Sequence, residues 1–186
     1  MRLFTGLDIP EEIIRRLEQL ISRLKPAARI TWSPAANLHI TTKFIGEWPE
    51  ERLDELKSAL AAVSSRSPID TAIRSLGFFP NPRWPRNFWC GIEAPGLAEL
   101  AAATEAATSS LGIASEIREY SPHLTLARIK ERIDLGPLHQ AIECESAGLG
   151  LDFGHFEVRS FSLYRSQMYS TGSVYTKLAE FPLTHS

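Results

Sequence analysis

The sequence predicts an α+β protein built on a mainly antiparallel sheet. Three observations carry that reading. Strands and amphipathic helices intermix without the regular strand–helix repeat of a parallel sheet. The tail, Gly154 to Leu183, alternates over two long strands joined near Ser170-Thr171-Gly172-Ser173, as a hairpin does. The tetrapeptide His39-Ile40-Thr41-Thr42 returns as His123-Leu124-Thr125-Leu126 about half a chain later, with a helix between strands in each half. That recurrence points to a duplicated lobe with an approximate two-fold axis.

The elements follow in order. Arg2 to Ile9 alternates and is expected as a strand. Pro10 suits a first helical turn, and Glu11 to Leu24 repeats its apolar residues at helical spacing, acidic first and basic later. Ala28 to Trp32 reads as a short strand, and Leu38 to Ile45 as the first His strand, ended by Gly46. Pro49 opens a helix over Glu50 to Val63. Ile69 to Phe79 and Phe88 to Ile92 are strands flanking a Pro-rich loop that holds Arg83, Trp84 and Arg86. Leu97 to Leu111 is an Ala-rich helix closed by Gly112. Ser121-Pro122 leads into the second His strand, His123 to Ile129, and Leu135 to Cys144 forms a last helix.

Composition narrows the function. The chain has 186 residues, 44% of them hydrophobic, enough for a substantial core in one domain or two packed lobes. Net charge is −2, so any nucleic-acid contact must rest on a local basic patch. Cys90 and Cys144 match no metal-ligand spacing and read as thiols of a reducing cytosol, with a single disulfide left open. A charge and a proline follow too soon on the first apolar residues for a signal peptide, and no run approaches a membrane span. The expectation is a cytoplasmic monomer with no membrane contact.

The chemistry lies in the repeated tetrapeptide. Side chains alternate across a strand, so His39 and Thr41 share one face while Ile40 backs them, and His123 and Thr125 do the same in front of Leu124. Two imidazoles titrate near neutrality, so one can take a proton while the other gives one. Two hydroxyls can donate to phosphate oxygens as charge builds. Neither motif brings Asp, Glu or Cys at ligand spacing, so no metal or other cofactor is expected. By the same parity Lys43 extends the positive lining of the groove, whereas Arg128 falls on the opposite parity from His123. His139, His155 and His185 have no matching Thr and receive no role.

These residues carry a resemblance. Asn37-Leu38-His39-Ile40-Thr41-Thr42-Lys43-Phe44-Ile45-Gly46-Glu47 and Ser121-Pro122-His123-Leu124-Thr125-Leu126-Ala127-Arg128 resemble the RNA 2′,3′-cyclic phosphodiesterase branch of the two-histidine phosphoesterase superfamily, once described as 2′-5′ RNA ligases. Gly77-Phe78-Phe79-Pro80, Phe88-Trp89-Cys90-Gly91 and Leu163-Tyr164-Arg165-Ser166 through Tyr175 extend it over nearly the whole chain. The resemblance implies one bilobal domain over residues 1–186: two antiparallel sheets related by an approximate two-fold axis, helices on the outer faces, a groove between. It implies hydrolysis of an RNA 2′,3′-cyclic phosphate end to a 2′-phosphomonoester, with His39 as proton donor, His123 as proton acceptor, and Thr41 and Thr125 beside them. It also favours a phosphate contact for Arg128, which requires a bulge or a strand end there. Thr42 stands where the family has an apolar residue and faces away from the groove, so the chemistry is untouched. Thr42, Leu126, Lys43, Arg128 and Phe78 complete the substrate-binding set, with Phe78 or its neighbour Phe79 as a surface for a terminal base. Small nucleotides are further expected ligands, and weak 2′-5′ RNA ligase activity is compatible with the same site. Two rival readings stay open: a phosphodiesterase for small cyclic nucleotides or ADP-ribose cyclic phosphate, and an RNA-binding module without turnover.

Overall fold

The computed structural model describes residues 1–63, 67–148, 150–170 and 172–184; Thr171 of the expected hairpin turn and His185 lie outside them. The elements run β1 (Arg2–Leu7), α1 (Glu11–Leu24), β2 (Thr31–Trp32), β3 (Ile40–Glu47), α2 (Leu53–Ala61), β4 (Ile69–Phe79), β5 (Asn87–Glu93), α3 (Leu97–Ser109), β6 (His123–Arg128), α4 (Gly136–Gly148), β7 (Asp152–Val158), β8 (Ser160–Tyr169) and β9 (Gly172–Pro182). Helix α1 follows the expectation residue for residue. Ile13, Leu17, Leu20, Ile21 and Leu24 are buried, Glu11 and Glu12 stand in its first turn, and Arg23 stands in its last. Each such buried aliphatic side chain contributes roughly 1.5–3 kcal/mol. The second expected helix is shorter, because Glu50–Arg52 winds as a 3₁₀ turn before α2 begins.

The tail is corrected. Its alternation covers three strands, not two. Strand β7 pairs with β4, whereas β8 pairs with β1 and β9, and the change of partner falls at Arg159. A period of two records which face a residue takes but not which neighbour its strand joins.

All ladders are antiparallel, in the order β7-β4-β5-β6-β3-β1-β8-β9, with β2 added beside β6. The middle of that order is thin. Strands β6 and β3 share the single backbone pair Ile40–Leu124, so the sheet consists of two four-stranded halves that meet at the His strands. The halves match two-fold: β3 with β6, β1 with β5, β8 with β4, β9 with β7.

The helices cross between the halves. Helix α1 leaves β1 but packs toward β7: Ile13 meets Gly154, and the Arg16 guanidinium donates to the Phe153 carbonyl at 3.3 Å. It also reaches α4 through Arg23 and Glu145, 2.7 Å apart. Helix α3 leaves β5 but packs against β3 and α2. Ile40, Leu124 and Leu126 are fully buried between sheet and helices. Cys90 is buried and Cys144 exposed; both are free thiols, so the open disulfide does not form.

Candidate active site

The two histidines are held alike. A carbonyl oxygen only accepts, so the ring nitrogen facing it must carry hydrogen. His39 Nδ1–H donates to the Asn37 carbonyl at 2.7 Å, and His123 Nδ1–H donates to the Ser121 carbonyl at 2.8 Å. Each bond reaches two residues back and leaves Nε2 as the nitrogen available for proton transfer. The Nε2 of His39 lies 3.0 Å from the Thr41 hydroxyl. From the Ile40–Leu124 pair, the antiparallel register sets His39 beside Thr125 and Thr41 beside His123. The strands then splay, and side chains take over the freed carbonyls: Tyr120 donates to Thr41 at 3.0 Å, and Ser33 to Thr125 at 3.0 Å.

A bulge closes each motif. Across β1 and β3, Gly6 pairs with Thr41 and Thr5 with Lys43, so Thr42 is the extra residue. Across β5 and β6, Trp89 pairs with Thr125 and Phe88 with Ala127, so Leu126 is the extra residue. One inserted residue reverses the parity of everything after it. Arg128 therefore comes onto the His123 face and is exposed.

The same reversal overturns the expectation for Lys43. It is buried away from the groove, its ammonium 2.8 Å from Glu105 of α3 and donating to the Ala114 carbonyl at 2.8 Å. Phe44, 60% exposed, takes the outward position instead. The motif-closing residues leave the substrate-binding set as well. Thr42 is buried, its hydroxyl 2.8 Å from that of Thr5, and Leu126 is fully buried core.

Aromatic rings wall both imidazoles. His39 lies 4.8 Å from Phe4 and meets Tyr175 edge-on at 5.2 Å, with Tyr164 stacked behind Phe4 at 5.1 Å. His123 meets Phe79 edge-on at 5.1 Å, and Phe79 lies 5.0 Å from Trp89. Phe78 is corrected: it packs 4.9 Å from Phe88 and 5.0 Å from His139, on the other face of β4 from Phe79. Alternation along β4 puts only one of the pair in the groove, and it is Phe79. Close approach requires Gly6, where a Cβ would meet the Ile40 carbonyl oxygen at 2.9 Å and the His39 ring at 3.4 Å. Sequence reasoning passed over Phe4 and Asp8. The alternation of β1 was a signal for Phe4, on the face of β1 opposite the Thr5 side chain; nothing local pointed to Asp8, which accepts from Tyr164 and Lys177.

The sequence model of the family described as LigT like Phosphoesterase matches residues 7–89 and again 92–175, one match for each half. The chain belongs to the LigT-like phosphoesterase family. It is 34% identical to the RNA 2′,3′-cyclic phosphodiesterase of Methanocaldococcus jannaschii, over 97% of this chain and 100% of the relative. It is 32% identical to the Thermus thermophilus protein of that name, over 98% of this chain and 90% of the relative. The crystal structure of a Thermus thermophilus protein superposes with a TM-score of 0.83 at 29% identity, covering 100% and 99% of the two chains. E. coli LigT complexed with 3′-AMP gives 0.77 at 27% identity, covering 99% and 98%.

In this LigT-like protein the surroundings of His39 bear on its charge. Burial holds the pKa of His39 below its ordinary value. The Asn37 carbonyl opposes that shift, Arg128 and His123 deepen it, and Asp8 opposes it weakly. Arg128 and His123 thus both act on His39 across the junction of the halves. The arrangement offers two ring nitrogens for proton transfer, two hydroxyls and one guanidinium on one face of the His strands. Among the described residues no group of three or more His, Cys, Asp or Glu gathers where a metal could sit, and no helix is long and apolar enough to cross a membrane.

Proposed function

We propose that this protein hydrolyses RNA ends bearing a 2′,3′-cyclic phosphate to a 2′-phosphomonoester, by acid–base catalysis without a metal. The observation that carries the reading is the paired anchoring of Nδ1 on both motif histidines, which frees both Nε2 atoms beside the two threonines and Arg128. Water attacks phosphorus opposite O3′, and His123 Nε2 takes its proton. The P–O3′ bond breaks, and His39 Nε2–H protonates O3′. The Thr41 and Thr125 hydroxyls and the Arg128 guanidinium hold the non-bridging oxygens as charge builds. The products are a 3′-hydroxyl and a 2′-phosphate. The relatives' names support the substrate class, and the LigT complexes with 3′-AMP and NADP⁺ support acceptance of small nucleotides. With the 5′-hydroxyl of a second RNA in place of water, the same step forms a P–O5′ bond, breaks P–O3′ and joins two RNA ends by a 2′-5′ bond.

The deciding experiment is the product isomer from a defined oligonucleotide ending in a 2′,3′-cyclic phosphate. A 2′-phosphate is expected; a 3′-phosphate, or no phosphomonoester with excess protein, sinks the proposal. Turnover is expected to survive excess chelator. Loss on chelation, restored by a divalent ion, would show that a metal takes part.

A further inference from the structure

A second feature lies beyond the groove, where β5 and β6 end. Asn87 and Arg128 are direct partners across these strands. The chain before Asn87 and the chain after Arg128 wall a hollow of about 610 Å³. Its lining includes Arg83, Trp84 and Arg86 from one loop, and Glu131, Arg132 and Asp134 from the other. The two loops are bound to each other: Ile129 N–H donates to the Arg86 carbonyl at 2.8 Å, and the Arg86 guanidinium to the Lys130 carbonyl at 3.1 Å. They are also tied back to the groove, because Arg86 N–H donates to the carbonyl of Phe79, the ring that packs on His123.

At this hollow the Arg132 guanidinium lies 3.7 Å from the centre of the Trp84 ring, yet Trp84 remains 54% exposed. An indole braced on one side by a cation and open to solvent is a ready stacking surface for a base, and arginines beside it suit a phosphate backbone. Charge sets the direction. Three arginines face the hollow against Glu131 and Asp134, and the Asp134 carboxylate is engaged by the Gly136 N–H of α4. In the other half of the sheet, on the side of β1 and β9, Asp8 and Glu180 share Lys177, a poor exit for a polyanion.

We infer that this hollow is a subsite for the single-stranded RNA lying 5′ of the reacting nucleotide, with a base stacked on Trp84 and backbone phosphates on Arg83 and Arg132. The inference rests on the reading of the groove given above. It makes the preferred substrate an RNA strand, not a mononucleotide. A strand whose terminal phosphate is at Arg128 passes directly onto these loops.

The test uses two independent readouts on the full chain. The first is binding of an eight-nucleotide RNA with an ordinary 3′-hydroxyl end, followed by anisotropy, for wild type, Trp84→Ala, Trp84→Phe and Arg132→Ala. Trp84→Ala is expected to weaken binding roughly five- to hundredfold, with Trp84→Phe retaining more. Arg132→Ala is expected to weaken binding and flatten its salt dependence. The second is kcat/KM on a cyclic-phosphate octanucleotide relative to a 2′,3′-cyclic mononucleotide. Wild type should favour the octanucleotide, and Trp84→Ala should collapse that ratio. Binding unchanged in Trp84→Ala, or a wild type that treats both substrates alike, overturns the subsite. Equal competition by an acidic peptide would show a nonspecific anion surface and overturns it too. Failure of the groove reading looks different: RNA binds through Trp84 but neither cyclic phosphate is turned over.

Discussion

At the scale of single residues, the site is two imidazoles in unlike surroundings. His39 is walled by Phe4, Tyr164 and Tyr175 with Arg128 and His123 nearby, and its pKa is lowered. Protonated His39 is the form the proposal needs, and in the empty site that form grows only as pH falls below the ordinary imidazole value of about 6.5. A bound phosphate is an anion and pushes the pKa back up. NMR titration of the His39 ring should therefore give a value below 6.5 in the free protein and a higher one with a 2′-phosphorylated product bound; the reverse order would remove His39 as donor. Arg128→Ala should raise the free-protein value while lowering kcat/KM. His39→Ala and His123→Ala should each cost at least ~10²–10⁴ in turnover, without adding in the double variant. A substrate with a far better leaving group at O3′ should rescue His39→Ala and leave His123→Ala impaired; rescue of His123→Ala instead would exchange the roles. Thr41→Ala or Thr125→Ala should cost ~10²–10³, with Ser retaining more, and unchanged turnover would put that hydroxyl outside the site.

At the scale of elements, the bulges matter most. Each His-x-Thr-x motif ends in the inserted residue, Thr42 or Leu126, and the insertion turns the next two positions over. Ala127 and Lys43 go to the core, and Arg128 and Phe44 come out. Lys43 thus belongs to the β3–α3 packing. Removing its ammonium leaves Glu105, about a quarter exposed, without its buried partner. Lys43→Ala should destabilise the protein by about 1–3 kcal/mol, less than the full cost for a deeply buried pair. The salt dependence of RNA binding should stay as in wild type. Denaturant unfolding and a salt series check both halves of that statement, and a flattened salt dependence would return Lys43 to the groove.

At the scale of the whole molecule, the two halves share their helices. Helix α1, from the half-chain carrying His39, packs toward β7, and α3, from the stretch before His123, packs against β3. Strands β8 and β9 come from the end of the chain but complete the sheet begun by β1 and β3. Neither half of the sequence therefore holds a complete layer of its own. Residues 1–94 expressed alone should show no cooperative thermal transition. A stable isolated half would mean that the 186 residues are two units, not one domain.

What was legible in the sequence was what repeats locally. His39, Thr41, His123 and Thr125 could be read as facing residues because a period of two needs no partner, and α1 could be bounded because a helix satisfies its backbone within itself. Helix spacing and strand alternation, with the quoted motifs, were enough for the fold class and the family. The rest depended on partners far along the chain. Bulges at Thr42 and Leu126 exist only in the register against β1 and β5, and they decided between Lys43 and Arg128. Phe79 rather than Phe78 meets His123 because of how β4 pairs with β5, which in turn pairs with β6. Arg132 finds Trp84 across two loops, and β7 leaves its chain neighbour β8 for β4. The sequence by itself determined the groups to which the chemistry is assigned, since their identity and alternation are local. Tertiary structure decided which charges and rings surround them, because a strand's register and its neighbours are set by burial summed over the whole fold.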